Sequence, residues 1–303
     1  MGTYRRRLGV LLLAVTVATG VGCAAPAFAS EPAECGGWQI ETLATGLEQV
    51  ENLEPDRRGG FYLSGDTKVY HVDGSGRVRT ILENLAAPGG LQLDGTTLYV
   101  LTRQNGKLWR LETTTGEFTW LADLPGNGLL RLPDGDFLTT WVGTEGGPPR
   151  GVSRYDSETG VVTPNWAAVP RGEGLASSPD RRIVYTDDLF TGQVYRIPLD
   201  APDRWSVVTT VPGLIPGLDD LATTGDGDIY VTAHLLGTIH RVDPDSGATC
   251  AVTSALPMGW AGPSSVRVAS DGDGYALYVT SFDGTLRRLR PPPDVELTPI
   301  HDF

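Results

Sequence analysis

The chain is poor in the residues that build soft-metal and nucleophilic sites. Its 303 residues include three cysteines and four histidines, and none stand at the spacing of a Cys/His metal site. Neither a Gly-x-Ser-x-Gly elbow nor a phosphate-binding glycine loop occurs, so the usual signs of a serine hydrolase or a nucleotide enzyme are missing. Basic residues are outnumbered, 24 Lys and Arg against 37 Asp and Glu, for a net charge of −13. That balance excludes nucleic acid and anionic membranes as natural partners. Beyond residue 29 no stretch approaches the ~20 apolar residues of a membrane span. Long amphipathic helical periods are also absent, while 39 glycines and 22 prolines mark a turn-dense chain.

Residues 1–29 read as a secretory signal peptide. Arg5, Arg6 and Arg7 form a positive start, Leu8 to about Val21 an apolar run, and Ala27-Phe28-Ala29 a small-x-small cleavage site. The arginine run also loosely resembles a twin-arginine signal, so the export route stays open. Cys23 follows Gly22, but Gly20 stands where a lipoprotein signal wants Leu, which makes lipid anchoring the weaker reading. The expectation is a secreted, extracellular, monomeric protein whose residues 30–303 form a single domain.

That remainder repeats itself six times. The second strand of each unit is the clearest: Gly60–Ser64, Thr97–Leu101, Asp136–Thr140, Ile183–Asp187, Asp228–Thr232 and Ala276–Thr280, all rich in Tyr and in aliphatic or β-branched residues. Third strands follow: Lys68–Val72, Lys107–Leu111, Val152–Tyr155, Gln193–Ile197, Thr238–Val242 and Thr285–Leu289. Asp-Gly pairs such as Asp94-Gly95, Asp134-Gly135 and Asp226-Gly227 supply the hairpin turns. The unit starts, Glu51, Gly89, Asn127, Glu173, Asp219 and Ser264, are 38, 38, 46, 46 and 45 residues apart. Four short strands recurring every ~40–45 residues are the signature of propeller blades. The fold class is therefore all-β, a six-bladed β-propeller; a β-sandwich would not produce six equivalent segments.

The sixth unit has three strands before Pro291-Pro292-Pro293, so the N-terminal Trp38–Leu43 is expected to supply its outer strand and close the ring. Cys250 falls in the outer strand of unit five and Cys35 just before the closing strand. An exported chain with two remaining thiols then predicts a Cys35–Cys250 disulfide.

A propeller's innermost strands direct their first residues at the central channel. Here those residues include Glu51, Asn127, Glu173 and Asp219. Three carboxylates and an amide converging on one axis repel one another unless a cation neutralises them. An all-oxygen set suits Ca²⁺, with Mg²⁺ or Mn²⁺ as alternatives. Asp220 neighbours Asp219, but strand alternation lets only one of the two face inward. His234, at the end of a second strand, faces the channel mouth. Arg103, Trp141, Asp187 and Ser281 hold comparable positions, and His234, Arg103, Trp141 and Ser281 are candidate substrate contacts. The insertion 143–150 is the longest connection between second and third strands and can shape the mouth.

The same segments carry a resemblance. Glu51-Asn52-Leu53, Asn127-Gly128, Gly172-Glu173-Gly174-Leu175 with Ser178-Pro179-Asp180, Leu218-Asp219-Asp220-Leu221, Thr232-Ala233-His234 and Leu277–Phe282 are similar, in order, to motifs of the senescence-marker-protein, gluconolactonase and luciferin-regenerating-enzyme family. The resemblance covers about residues 45–290. It implies Glu51, Asn127, Glu173 and Asp219 as metal ligands, Ca²⁺ as the ion, and Asp219 as the base. Glu173 departs from the pattern, because the family carries Asn there. The extra charge makes Glu173 a second candidate acid/base group and puts a standard sugar-lactone activity in doubt.

The function these features imply is metal-dependent hydrolysis of a small lactone or ester. Two alternatives stay open: a non-hydrolytic cyclase, isomerase or condensing enzyme on the same scaffold, and a propeller that only binds a ligand or a protein.

Overall fold

The computed structural model describes residues 33–144 and 146–300. The signal segment, its cleavage site, Cys23 and His301 lie outside the described residues. The chain from residue 33 forms six four-stranded antiparallel sheets, the blades of a β-propeller.

In blades one to five the sheet order follows the sequence from the axis outward. Blade one, for example, runs Asn52–Pro55, Phe61–Ser64, Val69–Val72 and Val78–Leu82. The innermost strands of the other blades are Pro88–Asp94, Leu129–Arg131, Leu175–Ser177, Leu218–Thr223 and Pro263–Asp271. Blade six takes its outer strand from the N-terminus: Gln39–Ala44 pairs antiparallel with Thr285–Arg290, matching Ile40 with Leu289. The strands start and stop within about two residues of the expected positions because Asp-Gly turns fix the hairpins locally.

Apolar packing lies between the blades. Among the described residues there are six buried clusters, one at each interface between neighbouring blades. Second strands face a neighbour on both sides, so they read as continuous apolar runs; Ile229–Ala233 is buried at every position. Each fully buried Leu or Val contributes about 1.5–3 kcal/mol relative to exposure.

The ends of the chain are tied more firmly than the repeat requires. Cys35 and Cys250 form a disulfide with Cα atoms 5.5 Å apart. The Cys35 N–H donates to the Ala251 carbonyl at 2.8 Å, and Ala251 N–H donates to the Ala33 carbonyl at 2.7 Å. Trp38 packs edge-on against Tyr230, their ring centroids 6.0 Å apart. The segment after the triple proline returns to the molecule: Leu297 is buried between blades five and six, and Gly225 N–H donates to the Thr298 carbonyl at 2.7 Å. The disulfide closes a separation of 215 residues, so the Cys35→Ser/Cys250→Ser protein is expected to lose about 2–5 kcal/mol of stability. Calorimetry should show this as a fall in melting temperature of roughly 4–9 °C.

Antiparallel order gives the propeller two distinct faces. Every innermost strand begins at one face, here called upper. The connections between blades and the loops between second and third strands also lie there. A cavity of about 540 Å³ opens at the lower end, with Leu93, Arg131, Leu221, Arg267 and Ile300 in its wall. Its wall holds Glu54 and Asp94 among the arginines Arg57, Arg131, Arg181 and Arg267, whereas the three carboxylates that converge lie at the upper end, where the chemistry is sought.

Candidate metal centre

Glu51, Asn127 and Glu173 stand one or two residues ahead of their inner strands and are placed by main-chain bonds to the neighbouring second strand. Glu51 N–H donates to the Ser64 carbonyl at 2.8 Å, Asn127 N–H to the Thr140 carbonyl at 3.2 Å, and Glu173 N–H to the Asp187 carbonyl at 2.9 Å. The next residue along each strand is held by a side chain. Asn52 N–H donates to Ser64 Oγ, Gly128 N–H to Thr140 Oγ1, Gly174 N–H to Asp187 Oδ1, and Asp220 N–H to Thr232 Oγ1, all at 2.8–3.0 Å. Thr140 and Thr232 then donate to the Glu173 and Ser264 carbonyls of the next blade at 2.7 and 3.1 Å. The sequence thus builds a collar of three hydroxyls and the Asp187 carboxylate behind the axial side chains.

On that collar the carboxylates of Glu51, Glu173 and Asp219 converge, each presenting an oxygen within 4.8 Å of the other two. One cation with metal–oxygen distances of about 2.3–2.6 Å spans such a spacing. Asn127 joins them by donating its amide N–H to Glu173 Oε1. All four residues are buried. Three acceptor atoms remain without a donor: Asn127 Oδ1, Glu173 Oε2 and Asp219 Oδ2. Buried acceptors are nearly always satisfied, so unpaired oxygens gathered on one axis, all hard ligands, fit a bound divalent ion. Burial, and then the charges of Asp219 and Glu51, push the Glu173 carboxyl well above the usual range. Burial, and then Glu51, do the same to Asp219.

The remaining two axial positions are not ligands. Ser264 donates to the Val50 carbonyl at 2.6 Å and ties blade six to blade one. Gly89 has no side chain, and a Cβ there would lie 2.9 Å from Arg103 Cγ and Cδ. Its absence lets Arg103 cross the upper face and set Nη1 2.7 Å from Glu51 Oε1. Arg103, expected among the substrate contacts, is thus a counter-ion of the cluster. Burial opposes its charge, but Glu51, Glu173 and Asp219 hold it more firmly protonated than usual.

His234 stands beside the cluster, with Nδ1 3.4 Å from Asp219 Oδ2. Burial lowers its pKa, which favours the neutral imidazole. Its ring stacks on Trp260 at 5.7 Å between centroids and meets Phe282 edge-on at 5.5 Å. Trp141 follows the second strand of blade three, half-buried, its main chain bonded to Gly151 and Gly172. Ser281 is not brought to the cluster: it is fully buried and its hydroxyl accepts from Arg287 Nη1 at 2.9 Å. Asp187, beside Glu173, works as the backbone acceptor described above.

Asp220 departs from the alternation expected of a strand. The register slips between Leu218 and Leu221, which pair with Ala233 and Val231. This bulge sets two residues opposite one and lets both aspartates reach across the channel. Asp220 accepts from Arg267 Nη1 at 2.6 Å, from Asn52 Nδ2 at 3.0 Å and from Ser265 Oγ. It is a paired structural carboxylate below the cluster.

Residues 100–283 match the model of the SMP-30/Gluconolactonase/LRE-like region. The chain belongs to this family. No curated protein matches the chain in sequence. Among solved structures, the fold is similar to regucalcin from Agrobacterium tumefaciens, described as a calcium-binding protein. The TM-score is 0.71 at 18% identity, covering 86% of this chain and 95% of that one. A gluconolactonase from Xanthomonas campestris gives a TM-score of 0.70 at 17% identity, covering 86% and 91%. A luciferin-regenerating enzyme gives 0.69 at 14% identity, covering 87% and 99%. At such identities these likenesses describe the SMP-30/gluconolactonase-like fold alone, and the site must be read from its own residues.

Proposed function

We propose that the protein is an exported, metal-dependent hydrolase of the lactonase type, opening a small lactone or ester at the upper end of its channel. The observation that carries this reading is the convergence of Glu51, Glu173 and Asp219 within 4.8 Å, with partnerless oxygens on Asn127, Glu173 and Asp219. Membership of a family that includes gluconolactonases supports it. Export rests on the Arg5–Ala29 pattern. Glu51, Asn127, Glu173 and Asp219 would hold the ion, with Ca²⁺ favoured by the hard donor set and by the calcium-binding relative. When bound, the ion supplies polarisation of the carbonyl and stabilisation of the developing oxyanion.

The protein's own groups carry the proton. Asp219 accepts it from the attacking water, and His234 Nδ1 lies 3.4 Å from Asp219 Oδ2 without a hydrogen bond to it. Asp219 then returns that proton to the departing alkoxide as the acyl C–O bond breaks, and Glu173, ionised as a ligand, is the second carboxylate within reach. The stacking of His234 on Trp260 fixes the imidazole plane.

A panel of small lactones, assayed on the purified mature chain with a pH indicator, tests this. Turnover is expected with Ca²⁺, Mg²⁺ or Mn²⁺, to vanish with EDTA, and to fall by about 10²–10⁴-fold in Asp219→Ala. Absence of turnover with every metal contradicts the reading. Detection of the hydroxy-acid product separates hydrolysis from cyclisation or condensation.

A further inference from the structure

Eleven large hydrophobic side chains are exposed among the described residues. Six stand apart on or beside outer strands, or at the lower end, as single exposed residues do in any soluble protein. The other five crowd one arc of the upper face: Phe190, Leu214, Ile215, Met258 and Trp260. Leu214 is 97% exposed, Trp260 79% and Met258 64%.

Their loops adjoin one another. A Cβ on Gly192, two residues past Phe190, would meet Pro216 Cγ at 2.6 Å. One on Gly213 would lie 3.1 Å from Leu236 Cδ1, and one on Gly237 would lie 2.9 Å from Met258 Cγ. The arc therefore runs over blades four to six and ends at Trp260, whose ring lies on His234. His234 in turn faces Asp219 at 3.4 Å. Trp260 thus joins the arc to the edge of the acidic cluster through His234.

The opposite arc is polar. Lys68 pairs with Glu48 at 3.1 Å and Arg103 with Glu51 at 2.7 Å. A sugar lactone, polar on every side, gains nothing from five exposed hydrophobic side chains along one approach. An amphiphile matches the division of the face.

We propose that this arc is an acyl subsite, and that the substrate is a lactone or ester bearing an extended apolar chain. The reacting carbonyl sits at the acidic cluster, and the chain lies over Trp260, Met258 and Leu214. This deepens the hydrolase reading of the same site and rests on it.

The test is the γ-lactone series from γ-butyrolactone to γ-dodecalactone, with the metal-loaded mature protein. kcat/KM is expected to rise roughly two- to fourfold per methylene over the length of the arc. Trp260→Ser and Leu214→Ser, at exposed positions that do not support the core, should each flatten the slope of log kcat/KM against chain length. Turnover independent of chain length overturns the proposal. If no lactone turns over, the hydrolase reading fails by itself, and the subsite is judged by calorimetric titration of the same series. Affinity that grows with chain length and is lost in Trp260→Ser supports the subsite; affinity flat with length overturns it. Adsorption to phosphatidylcholine vesicles through Trp260 and Leu214, without any chain-length dependence, assigns the arc to a membrane surface and equally overturns it.

Discussion

Replacing Glu173 by Gln is expected to make the metal-free protein more stable and its metal binding weaker. Both effects come from one charge. Glu173 is buried with Glu51 and Asp219, and Asp187 adds a further carboxylate beside it. Without an ion this repulsion opposes folding; a neutral amide removes it while keeping the side chain's length. The gain in metal-free stability should be about 1–3 kcal/mol at neutral pH. The pH dependence has a definite sign. Burial, and then Asp219 and Glu51, hold the Glu173 carboxyl well above its unfolded value. Its favourable contribution is therefore complete below the unfolded pKa and is lost as pH rises through the folded one. The advantage of Glu173→Gln in the metal-free protein should accordingly grow with pH. Metal affinity should fall about 10–100-fold, since ligand charge sets affinity at oxygen sites. Thermal melts with EDTA and with saturating Ca²⁺ should cross: the variant melts higher without metal and gains less from it. A variant less stable in both conditions would show that Glu173 is a packing group and not a ligand.

Arg103→Met should do the opposite. The guanidinium lies 2.7 Å from Glu51 Oε1, and a charged hydrogen bond of this kind contributes about 1.5–3 kcal/mol. An ion that uses the same oxygen competes with it. Three carboxylates less one guanidinium leave two negative charges, the charge of one divalent ion. Removing Arg103 raises that to three, so the metal-free protein should be destabilised and its metal affinity should rise by roughly 10–100-fold, the same energy expressed as a binding ratio. The double variant Arg103→Met/Glu173→Gln restores two negative charges and should bind metal close to the wild-type level. Such cancellation, each effect offsetting the other, is what two opposite charges beside one ion predict. If Arg103→Met leaves the metal affinity unchanged, Arg103 is not a counter-ion of the cluster.

The architecture was legible because each blade repeats one local grammar. Asp-Gly turns and Tyr-rich second strands locate the hairpins without knowledge of the tertiary structure. The register of those strands is enough to place Glu51, Asn127, Glu173 and Asp219 on one axis. What the sequence hides depends on departures from the repeat. The slip at Leu218–Leu221 leaves no mark on alternation, so the inward role of Asp220 is invisible until Arg267, Asn52 and Ser265 are seen to meet it. Gly89 reads as an empty blade position, and nothing in sequence shows that its missing Cβ admits Arg103. Ser281 ends a second strand just as His234 nearly does, yet Arg287 of its own blade holds it within the protein. Trp260 was missed because it sits in the connection between blades five and six, where the repeat has no equivalent position. A tryptophan in an exposed Gly-Trp-Ala turn is the only local sign of it.

The most direct test of the axial centre is metal titration of the purified protein, stripped with EDTA and followed by calorimetry, beside Asp219→Ala. One divalent ion per chain in the wild type, with binding lost in the variant, is the predicted result. No binding of Ca²⁺, Mg²⁺ or Mn²⁺, or binding that Asp219→Ala leaves unchanged, would contradict it.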